Sequence, residues 1–85
     1  MPISDRRILI VEDNYLVACD IQQELEAGGA IVIGPEPSVT RALDRIAYGD
    51  PIDVAILDVN LVDGTVLPVA ENLAARGVPF VFASG

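Results

Sequence analysis

An α/β domain wound on a parallel sheet is the fold class this sequence predicts, and three observations predict it. Short apolar runs recur at residues 8–11 (ILIV), 54–57 (VAIL) and 78–83 (VPFVFA) without polar alternation, the pattern of strands covered on both faces. Between them lie longer stretches with apolar residues at helical spacing. Glycine, proline, asparagine or aspartate punctuates the transitions. The resulting order, βαβαβαβ, calls for parallel strands joined by right-handed crossovers.

Each element has a local reason. Residues 7–12 read as the first strand, and 14–27 as a helix whose inner face is Val17, Ile21 and Leu25. Gly28 and Gly29 stop it. Residues 30–33 form a short second strand. The turn GPEPS then delivers Ser38 as N-cap of a second helix, with Val39, Leu43, Ile46 and Ala47 facing inward. Tyr48, Gly49, Asp50 and Pro51 close that helix, and residues 53–58 form the third strand. Thr65 caps a third helix that tolerates Pro68 in its first turn, where amides lack intrahelical acceptors. Ala70, Leu73 and Ala74 face the sheet, Gly77 ends the helix, and residues 78–83 make a fourth strand leading to Ser84 and Gly85.

Composition bounds the function. Eighty-five residues make one small domain without repeat, low-complexity tract or linker. A hydrophobic share of 52% excludes a disordered chain. Thirteen acidic residues against five arginines and no lysine give a net charge of −8, which disfavours nucleic acid and anionic membranes as partners and favours divalent cations or basic protein surfaces. One cysteine, Cys19, rules out an intramolecular disulfide, and a single thiol with no histidine disfavours a thiolate or imidazole metal site. The N-terminus MPISDRR precedes only four consecutive apolar residues, too few for a signal-peptide core, and no stretch reaches membrane-spanning length. The expected location is the cytoplasm.

The chemistry is expected at the strand ends. In open α/β sheets, ligands sit beyond the carboxyl ends of the strands, where the winding reverses. Glu12, Asp13, Asp58 and Ser84 occupy such ends. Three carboxylates in one pocket repel one another unless protons or a cation compensate. A hard, oxygen-seeking ion such as Mg²⁺ suits a donor set without nitrogen or sulfur. An aspartate beside such an ion is equipped to act as a nucleophile toward phosphorus.

The segments ILIVED, VAILDVNLVDG and PFVFASG, in that order and spacing, resemble the receiver domain of two-component response regulators over essentially all 85 residues. The resemblance implies a flavodoxin-like doubly wound sheet of strand order 2-1-3-4, with residues 1–85 as one partial receiver domain. The fifth strand and last two helices of the family have no counterpart, nor does the lysine that pairs with the phosphoryl group. It further implies Asp58 as phosphoacceptor. Glu12 and Asp13 would be the acidic pair holding Mg²⁺, Asp13 ahead of Glu12 as direct ligand, and Asn60 would donate a backbone carbonyl to the metal. Ser84 would hydrogen-bond the phosphoryl group and start the switch, and Gly85 would leave room for it. The expected partner is a sensor histidine kinase or histidine phosphotransfer protein, and the domain accepts a phosphoryl group without being a turnover enzyme. Val62 stands where the family often has proline.

Other readings compete residue by residue. Strand-terminal aspartates often serve as helix caps, and Asp63 with Gly64 reads as turn chemistry. Cys19, Tyr15 and Tyr48 read as packing or surface residues, and Arg6 and Arg7 as solubilising the start of the first strand. A calcium loop starting at Asp58 fails because Val62 and Val69 occupy ligand positions. The DGT at 63–65 is similar to aspartate-based phosphohydrolases, but Leu61 stands where their nucleophile lies. No phosphate-binding glycine loop follows the first strand. A receiver fold that binds partners without phosphorylation is the alternative from another class, and an aspartyl phosphatase is a distant third. Finally, the apolar strand at 78–83, as a sheet edge, predicts dimerisation or segment swapping.

Overall fold

A computed structural model describes residues 3–83. Its main sheet has four parallel strands, β1 (Arg7–Val11), β2 (Ile31–Glu36), β3 (Val54–Asp58) and β6 (Phe80–Ala83), in the order β2-β1-β3-β6. With β6 as the fourth long strand, this is the expected 2-1-3-4. A two-stranded antiparallel hairpin, β4 (Asn60–Leu61) and β5 (Gly64–Thr65), follows β3 where the sequence reads only as a turn. The helices are α1 (Tyr15–Ala27), α2 (Val39–Tyr48) and α3 (Leu67–Ala75). None is long and apolar enough to cross a membrane.

Side-chain alternation divides the sheet. Leu9, Val11, Ile33, Ala55 and Leu57 share one core with Ala42 and Ile46 of α2 and Val69, Ala70 and Leu73 of α3. Full burial of a leucine such as Leu73 stabilises by roughly 1.5–3 kcal/mol. On the opposite face Ile8 and Ile10 are buried, and α1 contributes Ala18 as its one fully buried residue. The expected inner residues Ile21 and Leu25 are half-buried, and Val17 is exposed.

Local chemistry sets the helix ends. Asn14 Oδ1 accepts the Leu16 and Val17 amides (3.1 and 3.2 Å) and starts α1. Ser38 Oγ accepts the Arg41 amide (3.2 Å) and starts α2, which ends at Gly49 with φ +99, a left-handed conformation suited to glycine. The third helix differs from expectation. Thr65 pairs within the hairpin, and Val66 takes the N-cap position with no side-chain hydrogen bond.

Three other expectations are corrected. The second strand does not stop at residue 33 but runs through Gly34 and Pro35 to Glu36, because Glu36 pairs with β1 again, opposite Val11. Ala47 and Ala74 face solvent. Ala42 and Val69 are buried instead, because α2 and α3 pack on each other as well as on the sheet. The last strand begins at Phe80 because the Val78 amide still closes the end of α3 on Leu73 O (2.9 Å). Among the described residues β6 is a sheet edge, with Val81 57% and Phe82 51% exposed.

Candidate functional site

The carboxyl ends of β1 and β3, adjacent and parallel, bring three acidic side chains together. One carboxylate oxygen from each of Glu12, Asp13 and Asp58 lies within 4.8 Å of the other two. Glu12 is buried, Asp58 half-buried and Asp13 exposed, so the cluster opens from the sheet toward solvent. The register explains the meeting, since Val11 pairs with Leu57, which puts Glu12 and Asp58 side by side at the carboxyl ends of the two strands.

Glu12 is the most constrained of the three. Its amide donates to Glu36 O (3.0 Å), and its Oε1 accepts the Asn14 amide (3.0 Å) at the start of α1. Burial raises its pKa above the usual 4.5 more than the Asn14 amide lowers it, and the charges of Asp58 and Asp13 and a hydrogen bond to Asp58 raise it further. The pocket is thus short of positive charge. Its oxygen-only donors, one sheltered and two accessible, fit a hard divalent cation that retains water, as Mg²⁺ does.

Asn60 lies exposed in β4, two residues beyond Asp58, at the mouth of the hairpin. Ser84 and Gly85 lie outside the described residues.

Several participants escaped the sequence reading. A cavity of about 260 Å³ adjoins the cluster, with Tyr15, Cys19, Pro35 and Pro37 in its walls and Glu12 and Asp13 on its acidic side. Cys19 is half-buried there, and its hydrogen bond with Tyr15 holds the phenol above its usual 10.0. Pro35 and Pro37 reach this wall because β2 extends past residue 33. Asp63 is more than a turn residue: its carboxylate accepts the Val39 amide (2.8 Å), the Thr40 amide (3.1 Å) and Thr40 Oγ1 (3.1 Å), pinning the hairpin to the start of α2. The DG pair and the helix start were visible signals, but their partnership spans 24 residues.

Among known proteins, no family model matches the chain, and no curated protein sequence does either. Solved structures do match. SdrG from Sphingomonas melonis Fr1 is 47% identical with a TM-score of 0.82, over 96% of this chain and 69% of that one. The BeF₃-activated conformation of SdrG, from Pseudomonas melonis Fr1, is 48% identical with a TM-score of 0.79, over 96% of this chain and 70% of that one. The response regulator PhyR from Brucella abortus is 31% identical with a TM-score of 0.82, over 92% of this chain but 32% of that one.

Proposed function

This chain belongs to the response regulator receiver domains, and from that premise we propose that it accepts a phosphoryl group on Asp58 from a phosphohistidine of a sensor kinase or histidine phosphotransfer protein. The observation that carries the reading is the convergence of Glu12, Asp13 and Asp58 at the strand ends. The BeF₃-activated form of SdrG supports it, since trifluoroberyllate is a phosphoryl analogue.

Glu12, Asp13, Asp58 and the backbone carbonyl of Asn60 would hold Mg²⁺. Bound there, the ion supplies positive charge against the phosphoryl oxygens. In the transfer itself, a carboxylate oxygen of Asp58 bonds to phosphorus as the bond from phosphorus to the donor's imidazole nitrogen breaks. The imidazole leaves with that electron pair and takes up a proton, and Asp58 becomes an acyl phosphate. Glu12, fixed by the Asn14 and Glu36 backbones, keeps the pocket preorganised while exposed Asp13 and half-buried Asp58 face the donor. Ser84 would donate a hydrogen bond to the phosphoryl group, shifting the population of surface conformations.

A non-phosphorylated binding module is the second reading. Tyr15 and Leu16, 78% and 73% exposed beside the pocket, favour it as an apolar surface present before any modification. Among the described residues the apolar edge at β6 offers a surface for self-association through residues 78–83 as well. A monomer mass independent of concentration in light scattering would count against that.

Intact-mass measurement after exposure to a small phosphodonor, with and without Mg²⁺, tests the main reading. One phosphoryl group should add in a Mg²⁺-dependent manner and be lost in Asp58→Asn. A folded chain that takes up none would favour the second reading.

A further inference from the structure

One buried carboxylate among the described residues takes no part in that chemistry. Glu36 ends β2 with its side chain 6% exposed, on the strand that flanks β1 on the side away from β3. β1 and β2 run in step from Arg7↔Ile31 to Leu9↔Ile33, and then Val11 pairs with Glu36. Two steps on β1 oppose three on β2, which is a bulge. In an unbroken strand residue 36 would point to the side opposite Ile33; the extra residue returns it to Ile33's side, where α2 lies.

Gly34 makes the bulge possible. Its φ is +93, and a Cβ there would lie 2.8 Å from Glu36 N and 3.1 Å from Ile10 O, both backbone atoms. Turned toward α2, Glu36 Oε2 meets Arg45 Nε at 2.8 Å, and Arg45 Nη1 reaches Asp50 Oδ2 at 3.6 Å. Arg41 is a looser neighbour, 3.9 Å away with its side chain 68% exposed. At the same residue, the backbone carbonyl of Glu36 accepts the Glu12 amide.

We propose that the Glu36–Arg45 ion pair is a positioning device for the acidic pocket: it fixes the bulged end of β2 on α2, holds the Glu36 carbonyl against the Glu12 amide, and so places Glu12 beside Asp13 and Asp58. The inference rests on the cation-binding reading of that pocket. Glu12 directly follows β1, and two hydrogen bonds locate it, one to Glu36 O and one from Asn14 N. Releasing the first frees the residue whose carboxylate forms the floor of the cluster, and Asp13 moves with it. Arg45 is the effective partner because it is close, only partly exposed and bridged to Asp50, a planar two-sided contact that lysine cannot reproduce.

The test uses the full chain and Mg²⁺ alone. Mg²⁺ affinity, melting temperature and hydrogen exchange of the Glu12 amide are measured for wild type, Arg45→Gln, Arg45→Lys and Arg41→Gln. Arg45→Gln should weaken Mg²⁺ binding about tenfold and speed Glu12 exchange, with partial recovery in Arg45→Lys and no change in Arg41→Gln. A folded Arg45→Gln that melts earlier but keeps wild-type affinity and Glu12 protection overturns the inference, leaving the pair a purely structural tie. Should Arg45→Gln fail to fold, the wild type decides. Linkage requires the Arg45 Nε–H resonance to respond over the same Mg²⁺ range as the Asp13 amide, and a silent Arg45 overturns the inference. A wild type in which Glu12, Asp13 and Asp58 all ignore Mg²⁺ overturns the cation reading itself.

Discussion

Two carboxylates in this domain each accept backbone amides at the start of a helix, and their acidities move in opposite directions. Glu12 takes the Asn14 amide before α1, but burial and then the charges of Asp58 and Asp13 push its pKa up. Asp63 takes the Val39 and Thr40 amides before α2, is exposed, and has its pKa lowered first by those two donors. The junction at Asp63 is electrostatically complete within the protein. The pocket at Glu12 is not, and the missing positive charge is what a ligand would contribute. Stability is invested at one place and binding capacity at the other.

The sharpest way to break this contrast is to remove one charge from each region. Asp13→Asn should weaken Mg²⁺ binding by at least about tenfold while raising the melting temperature of the metal-free protein, because one repulsive partner of Glu12 and Asp58 is gone. Asp63→Ala should do the reverse, leaving Mg²⁺ affinity near wild type and lowering the melting temperature. A Mg²⁺ titration beside metal-free melts reads both. Equal losses of affinity in the two variants would mean that the regions are one unit.

How far the contrast was visible in the sequence depends on which residues must meet. The runs ILIV and VAIL, the cap Ser38, and the glycines after each helix act locally, so strands, helices and the acidic strand ends Glu12, Asp13 and Asp58 were legible. The bulge at Gly34 was not. GPEPS has turn composition, and only the renewed pairing of Glu36 with Val11 keeps it on the sheet and turns Glu36 toward Arg45. The same holds for Asp63, whose partners lie 23 and 24 residues away, and for Ala42 over Ala47, where the position of α3 chooses between two equally helical phases. Ser84 remains an expectation from resemblance.

Acidity itself offers the next, smaller effect. Glu12, with a folded pKa above 4.5, contributes stability that is complete below 4.5 and lost as pH rises through the folded value. Asp63, with a folded pKa below 3.8, contributes stability that is complete above 3.8 and lost as pH falls through its folded value. Glu12→Gln should therefore gain on wild type toward neutral pH in metal-free melts, whereas the deficit of Asp63→Ala should shrink in acid. Carboxyl NMR titrations should show Glu12 moving downward on addition of Mg²⁺ and Asp63 unmoved.

The smallest effect separates the donors at the junction. Of the groups that lower the Asp63 pKa, the Val39 and Thr40 amides outweigh the Thr40 hydroxyl, although amide and hydroxyl of Thr40 both stand 3.1 Å from Oδ2. The amides are fixed by the helix start and carry its dipole, while the hydroxyl is a surface group free to bond water instead. Thr40→Val keeps the backbone and the β-branched shape but removes the hydroxyl. It should raise the Asp63 pKa slightly while leaving it below 3.8, and change stability by no more than about 0.5 kcal/mol. A return of Asp63 to its ordinary acidity in that variant would show that the hydroxyl, not the helix terminus, holds the hairpin on α2.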